Sequence, residues 1–249
     1  MPTMKWFEDE ELWMSERDII FNRSRVQFTF REVAKLVQLL NMPDKGALLD
    51  LACGIGRHSV EFAKQGFRVT GVDITRPYLE IARAGATAAG MDITYEHGDM
   101  REYCRPDHFD VIVSMCTSFG FFENIGEDKA VLKNCYHSLK KGGKMVIDVL
   151  GKEVIAAQFK EKQWITYDEY ELLAEAAITD DWSWIECKWV ILKGDQKKEL
   201  RYSHRLYSAY ELKAAMKEAG FRDVAAYGDL SGRTAYDNNA KSLVVTGTK

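Results

Sequence analysis

Between residues 47 and 150 the chain alternates short apolar runs with segments of helical spacing, an order that few folds can satisfy. The apolar runs at 47–52, 67–72, 93–96, 109–115 and 144–150 have the length of strands. The run at 109–115 has the apolar content of a strand covered on both faces. Between the runs, 57–65, 75–89 and 127–139 read as helices. Thr75 is the expected cap of the second, with Pro77 in its first turn, and Gly66 and Lys140-Lys-Gly-Gly143 are stop signals. Strands alternating with helices at this spacing build βαβ units and a parallel sheet, so the expected fold class is α/β.

The pattern changes after residue 150. Runs at 164–178, 182–193 and 197–207 look extended, with turn signals at Asp180-Asp181 and Gly194-Asp195, as in a small antiparallel sheet. Ser208-Ala-Tyr-Glu211 is a capping box that opens a helix closed by Gly220, and 221–227 and 243–248 read as final strands. Upstream, Val33, Leu36, Val37 and Leu40 have helical spacing in a segment ended by Asn41 and Pro43. The expected organisation is an aromatic, helical segment at 1–46, a core at 47–150 and 208–249, and an inserted antiparallel sheet at 151–207.

Composition narrows the function classes. With 249 residues, 29% of them charged, and a net charge of −4, the chain lacks the basic excess of a general nucleic-acid binder. No apolar run reaches the ~18 residues of a membrane span, and the acidic, aromatic N-terminus does not read as a signal peptide. The five cysteines (Cys53, Cys104, Cys116, Cys135 and Cys187) show neither Cys-x-x-Cys nor zinc spacing. Reduced thiols, a cytoplasmic location and no metal site are expected.

The chemistry concentrates in Leu48-Leu-Asp-Leu-Ala-Cys-Gly-Ile-Gly-Arg57, where a strand ends at two glycines and a helix begins. Such glycines let a ligand approach the backbone, and the helix N-terminus offers N–H groups to an anion. Asp50 argues against a pyrophosphate, which it would repel, and for a ligand with an ammonium or sulfonium. Ser59 departs from the third glycine or alanine of the dinucleotide fingerprint. S-adenosylmethionine carries the matching charges, including a carboxylate for the helix N-terminus. Asp73, ending Phe67-Arg-Val-Thr-Gly-Val-Asp, can accept both hydroxyls of a ribose or can cap the next helix. Asp99 can accept from an adenine amino group, with Met100 on the base, or can be a turn residue.

These pieces, with Phe109-Asp-Val-Ile-Val-Ser-Met115 and Leu139-Lys-Lys-Gly-Gly-Lys144, occur in an order that resembles the class I S-adenosylmethionine-dependent methyltransferases. The chain is similar, more narrowly, to bacterial members with Arg57-His58-Ser59 after the glycines, Thr117-Ser-Phe-Gly-Phe-Phe122 after the fourth strand, and a sheet inserted after the fifth. The resemblance implies a Rossmann-like sheet with helices on both faces and S-adenosylmethionine as cofactor. It also implies that Asp50, Ala52, Cys53, Gly54 and Gly56 form the methionine-side loop and that Asp73 holds the ribose. Ile74 would lie against the adenine, Asp99 and Met100 at its edge, and Met115 and Ser118 on the floor. Arg57 would pair with the methionine carboxylate or with an acidic side chain.

The acceptor is less legible. Ser114-Met-Cys-Thr-Ser-Phe-Gly120 has no Asp/Asn-Pro-Pro-Tyr motif of the amino methylases that act on bases, and Cys116 is not in a Pro-Cys context. A small molecule methylated on nitrogen or oxygen is expected. His204, Tyr207, Tyr227 and Asp229 are the candidate proton acceptors or positioning groups. Trp6, Phe21, Phe119 and Arg205 are the substrate-side candidates. His204 and Arg205 alternate along a strand, so one of them can face the cleft while the other serves the fold. Trp6, Phe7, Trp13 and Phe21 can form a lid or pack the N-terminal helix. Trp182, Trp184 and Trp189 differ in parity and cannot share one face, which leaves room for a homodimer contact. The alternatives are an NAD(P)-dependent oxidoreductase, a non-catalytic module that binds the cofactor or its demethylated product, and a methyltransferase of RNA or protein.

Overall fold

Neighbouring residues of the central strands face opposite ways, and this alternation sorts the core into two layers. The computed structural model describes residues 5–41, 45–167, 170–237 and 239–249, so Pro43 lies outside the described residues. The chain runs through α1 (Glu10–Ile20), α2 (Arg23–Leu40), β1 (Ala47–Leu51), α3 (Arg57–Lys64), β2 (Arg68–Asp73), α4 (Arg76–Ala88) and β3 (Thr94–His97). It continues through β4 (Phe109–Ser114), α5 (Ile125–Ser138), β5 (Leu139–Val149) and α6 (Lys152–Gln158). The strands β6 (Lys162–Thr166), β7 (Glu171–Thr179), β8 (Trp184–Lys193) and β9 (Gln196–Arg205) follow, then α7 (Ala209–Glu218), β10 (Arg222–Tyr227) and β11 (Leu243–Thr248).

Seven strands form the main sheet in the order β10-β11-β5-β4-β1-β2-β3. The pairs among β1 to β5 are parallel, and β11 lies antiparallel between β5 and β10. On one face Leu48, Val111, Val113, Val146 and Val244 pack against Val33, Leu36 and Leu40 of α2 and Phe62 of α3. On the other face Leu49, Leu51, Ile112, Ile147 and Val245 pack against Leu132 of α5 and Leu212 and Met216 of α7. Both faces are covered, which is why β1 reads as an unbroken apolar strand apart from Asp50. The fold is therefore α/β and Rossmann-like.

The segment after α6 forms its own antiparallel sheet, β6-β7-β8-β9. Asp180 and Asp181 turn the chain with positive φ, and Gly194 does so at +56° between β8 and β9. The extended run at 164–178 is two strands, β6 and β7, rather than one.

Other local details differ from expectation. The helix α1 is set by Asp9, whose carboxylate accepts from Leu12 N–H at 3.0 Å, with Glu10 and Glu11 in the favourable first turn. β5 begins at Leu139, because the Lys140–Gly143 stretch bulges within the strand between the pairs Phe109–Leu139 and Val111–Lys144. Thr75 makes no side-chain cap; its own N–H is held by Asp73 instead. Ser208 and Glu211 do form the reciprocal capping box.

Candidate active site

The strand order reverses between β1 and β4, and a crevice opens at the carboxyl ends of these strands. A cavity of about 390 Å³ occupies it. Its walls come from the β1–α3 loop, the ends of β2 and β4, the loop after β3, the N-terminal segment and one face of β8 and β9.

Three carboxylates mark one side. Asp50, almost fully buried, accepts from Ser59 Oγ at 2.6 Å, and burial pushes its pKa up against the pull of nearby His58 and Arg57. Asp73 is also buried, which raises its pKa, and two backbone donors hold the carboxylate: Gly54 N–H at 2.7 Å and Thr75 N–H at 2.8 Å. Each oxygen keeps a lone pair beyond these bonds. Asp99 lines the cavity while its carboxylate accepts from Arg101 Nε at 2.9 Å. The connecting loop is tight: Ala52 has φ +61° and Gly54 φ +55°, and a Cβ on Gly54 would lie 2.7 Å from the Phe21 ring.

Arg57 does not face the cavity as a free cation. Its Nη1 donates to Glu32 and, at 2.9 Å, to Thr29 Oγ1 of α2, and its Nη2 lies 2.9 Å from Cys116 Sγ. His58 also lines the cavity, with Nε2 2.8 Å from the same Glu32 oxygen. Burial opposes ionisation of Glu32, yet His58 and Arg57 together lower its pKa to about 2. Cys116 and Thr117 hold left-handed backbone at φ +59° and +62°, and Asp148 accepts their N–H groups through its carboxylate and its carbonyl. Desolvation raises the Cys116 thiol to about 11, so it is no ready nucleophile near neutrality.

The opposite side is aromatic. Trp6 packs on Phe121, with ring centroids 4.7 Å apart, and on Trp13 and Tyr202. The N-terminal segment both packs and covers the cavity: Tyr78 Oη donates to Trp13 O, Arg101 pairs with Glu8, and Phe7 is buried against Phe122. From the small sheet come Trp189, Leu200, Tyr202 and His204. Leu200, Tyr202 and His204 are alternate residues of β9, and Trp189 pairs with Leu200 across the strands. His204 is buried, which lowers its pKa, and its Nδ1 donates to Arg205 O at 3.1 Å. A carbonyl can only accept, so Nδ1 carries the hydrogen and Nε2 keeps its lone pair.

The cavity thus gathers Asp50, Ala52, Cys53, Gly54, Arg57, Asp73, Ile74, Asp99, Met100, Met115 and Ser118, together with Trp6, Phe21 and His204. Other candidates lie outside it. Gly56 supports the loop from below, where a Cβ would collide with Tyr95 Oη and Ala82. Phe119 is core, its ring tilted against that of Tyr207. Tyr207 donates to Asp128 at 2.7 Å, and Arg205 turns away from the cleft to Asp128 and the carbonyls of Phe122 and Glu123. Tyr227 and Leu230 each pack against the α2 layer, and Asp229 closes a turn onto Ser231 and Thr234. Sequence reasoning missed Tyr202, Tyr78, Arg25 and Glu32. The period of two leading back from His204 was the available signal for Tyr202; nothing in the sequence marked Glu32.

Among the described residues no cluster of metal-ligand type is present, and no helix is long and apolar enough to cross a membrane. Residues 48–143 match the family model described as a methyltransferase domain. YqeM of Bacillus subtilis, a methyltransferase by name, is 28% identical over 188 residues, covering 73% of this chain and 76% of that protein. The dTDP-3-amino-3,4,6-trideoxy-alpha-D-glucopyranose N,N-dimethyltransferase of Streptomyces venezuelae is 31% identical over 117 residues, covering 47% of each. The crystal structure of an S-adenosylmethionine-dependent methyltransferase from Clostridium acetobutylicum superposes with a TM-score of 0.80 at 14% identity, covering 96% of this chain and 97% of that one.

Proposed function

We propose that this chain, which is similar to class I methyltransferases, moves the methyl group of S-adenosylmethionine onto a nitrogen of a small-molecule acceptor. One observation carries the reading: a cavity at the sheet's switch point has three carboxylates along one side and an aromatic wall with a neutral histidine along the other. The residues present fit the cofactor. Asp73, fixed by Gly54 and Thr75 N–H, keeps lone pairs for a ribose diol, and Asp50 suits a positive methionine end. Ile74 and Met100 offer apolar contact to a base beside Asp99.

When bound, S-adenosylmethionine supplies a methyl group on a sulfonium, a leaving group that departs neutral. The chain's own work is then alignment, exclusion of water and proton removal. Trp6, Phe121 and Tyr202 cover the acceptor side, and His204 Nε2 takes the proton that the acceptor nitrogen releases. The dimethyltransferase relative, named for an amino sugar, supports nitrogen as the accepting atom. The acidic balance of the chain supports a small acceptor rather than a nucleic acid. Its five free thiols are in keeping with a cytoplasmic site of action.

Calorimetric titration tests the first half of the proposal. Binding of S-adenosylmethionine and S-adenosylhomocysteine to one site per chain is expected. Absence of binding at millimolar cofactor in folded protein refutes it, and tight binding of NADH instead would move the reading to hydride chemistry.

A further inference from the structure

The charges along the cavity wall identify a chemical feature of the acceptor, an argument that rests on the methyl-transfer reading above. The wall's carboxylates, Asp50, Asp73 and Asp99, stand at strand ends or in the loop after β3, on the cofactor side. Among the described residues, the arginines and lysines of the wall are Arg25 and Arg57. Arg57 is committed to Glu32, Thr29 and Cys116. Arg25 is not: its Nη1 donates to Ile20 O at 3.2 Å, and no carboxylate pairs with it among the described residues. Four of its five N–H donors remain for a ligand.

Arg25 serves the fold through one bond, to the C-terminal carbonyl of α1 at Ile20. α2 carries no acid in its first turn, where the helix dipole favours one, and instead opens with Arg23 and Arg25. Arg25, on the N-terminal helix α2, lines the same cavity as Trp189, Leu200 and Tyr202 of the small sheet. The part of the wall that the N-terminal segment and the small sheet contribute, which includes Trp6, Trp189, Leu200 and Tyr202, holds no carboxylate among the described residues.

We propose that the acceptor carries an anionic group, a carboxylate or a phosphate, which Arg25 grips in its planar fork while the rest of the acceptor lies against Tyr202 and Trp189 and its nucleophile faces His204. The free acceptor therefore bears both an anionic group and an amine.

Trp6, Trp13 and Trp189 line the cavity and supply a native fluorescence readout that needs no knowledge of the true substrate. The protein is first loaded with S-adenosylhomocysteine, checked by calorimetry; failure to load counts against the methyl-transfer reading, not against the role of Arg25. Loaded protein is then titrated with benzoate, phenyl phosphate and the neutral benzamide. An anion is expected to bind about tenfold or more tightly than benzamide, the better of the two telling carboxylate from phosphate. Arg25→Met is expected to abolish that preference and Arg25→Lys to keep part of it, both with unchanged S-adenosylhomocysteine affinity. Benzamide binding as tightly as both anions, no binding of either anion to the loaded protein, or an unchanged preference in Arg25→Met would each overturn the proposal.

Discussion

Asp73→Asn separates the two jobs of one carboxylate. In the wild type Oδ2 accepts from Gly54 N–H and Oδ1 from Thr75 N–H, so the group welds the β1–α3 loop to the end of β2. Asparagine has one acceptor oxygen and one NH₂, and therefore leaves one buried N–H facing another donor. An unsatisfied buried donor costs about 1–3 kcal/mol. Loss of the charge offsets part of that, because burial already disfavours ionised Asp73. The net loss of stability is expected at the low end, about 1 kcal/mol. The loss of cofactor affinity is larger. Two hydrogen bonds from a ribose diol to a charged acceptor are worth about 1.5–3 kcal/mol each, so affinity should fall by roughly 10²- to 10⁴-fold. Urea unfolding measures the first quantity and calorimetry with S-adenosylhomocysteine the second. A folded variant whose affinity stays within about threefold of the wild type would refute the assignment of Asp73 to the ribose.

Three further outcomes follow from other parts of the site. Gly54→Ala places a methyl group at positive φ and 2.7 Å from the Phe21 ring, so cofactor binding should be lost while the circular dichroism spectrum is kept. His204→Gln removes the proton acceptor and should lower kcat by about 10²–10⁴-fold with little change in cofactor affinity. Because burial lowers the His204 pKa, wild-type kcat should stay on its plateau below about pH 6.5, where an ordinary histidine protonates, and fall only at more acid pH. Asp128 has its pKa raised to about 6 by burial, despite hydrogen bonds from Tyr207 and Arg205. A raised carboxylate favours the folded state at low pH, a contribution lost as pH rises from the unfolded value toward 6. The wild type should therefore gain up to about 3 kcal/mol relative to Asp128→Asn between pH of about 7 and 4, measured as urea midpoints.

The parallel core was legible because each strand of it is apolar and each connection carries helical spacing. The β1–α3 loop was legible because two glycines, an acid and a helix start coincide within ten residues. Contacts made by packing rather than by pattern were not. Glu32 lies on the exposed side of an amphipathic repeat in the sequence, and only the docking of α2 on α3 brings it to Arg57 and His58. Tyr207 and Arg205 sit in a motif that looks chemical, yet both are bound to a buried aspartate, Asp128, that the sequence did not mark. Strand parity offered His204 and Arg205 as rivals for the cleft. The pairing of β9 with β8 sends His204 inward beside Tyr202 and Arg205 outward over Trp184. The start of β5 was misread because Gly142-Gly143 is a stop signal for α5 and, at the same time, a bulge within the strand.

The central claim is methyl transfer to a small nitrogen acceptor in the cavity at the ends of β1 and β4. It is tested most directly by incubating the protein with S-adenosylmethionine labelled with an isotope in the methyl group and a fractionated bacterial extract, then following the label by mass spectrometry. The account predicts label on nitrogen of a low-molecular-mass compound that carries an anionic group, with equimolar S-adenosylhomocysteine and neither product formed by Asp73→Asn. Label in the RNA or protein fraction, or no S-adenosylhomocysteine above background, would contradict it.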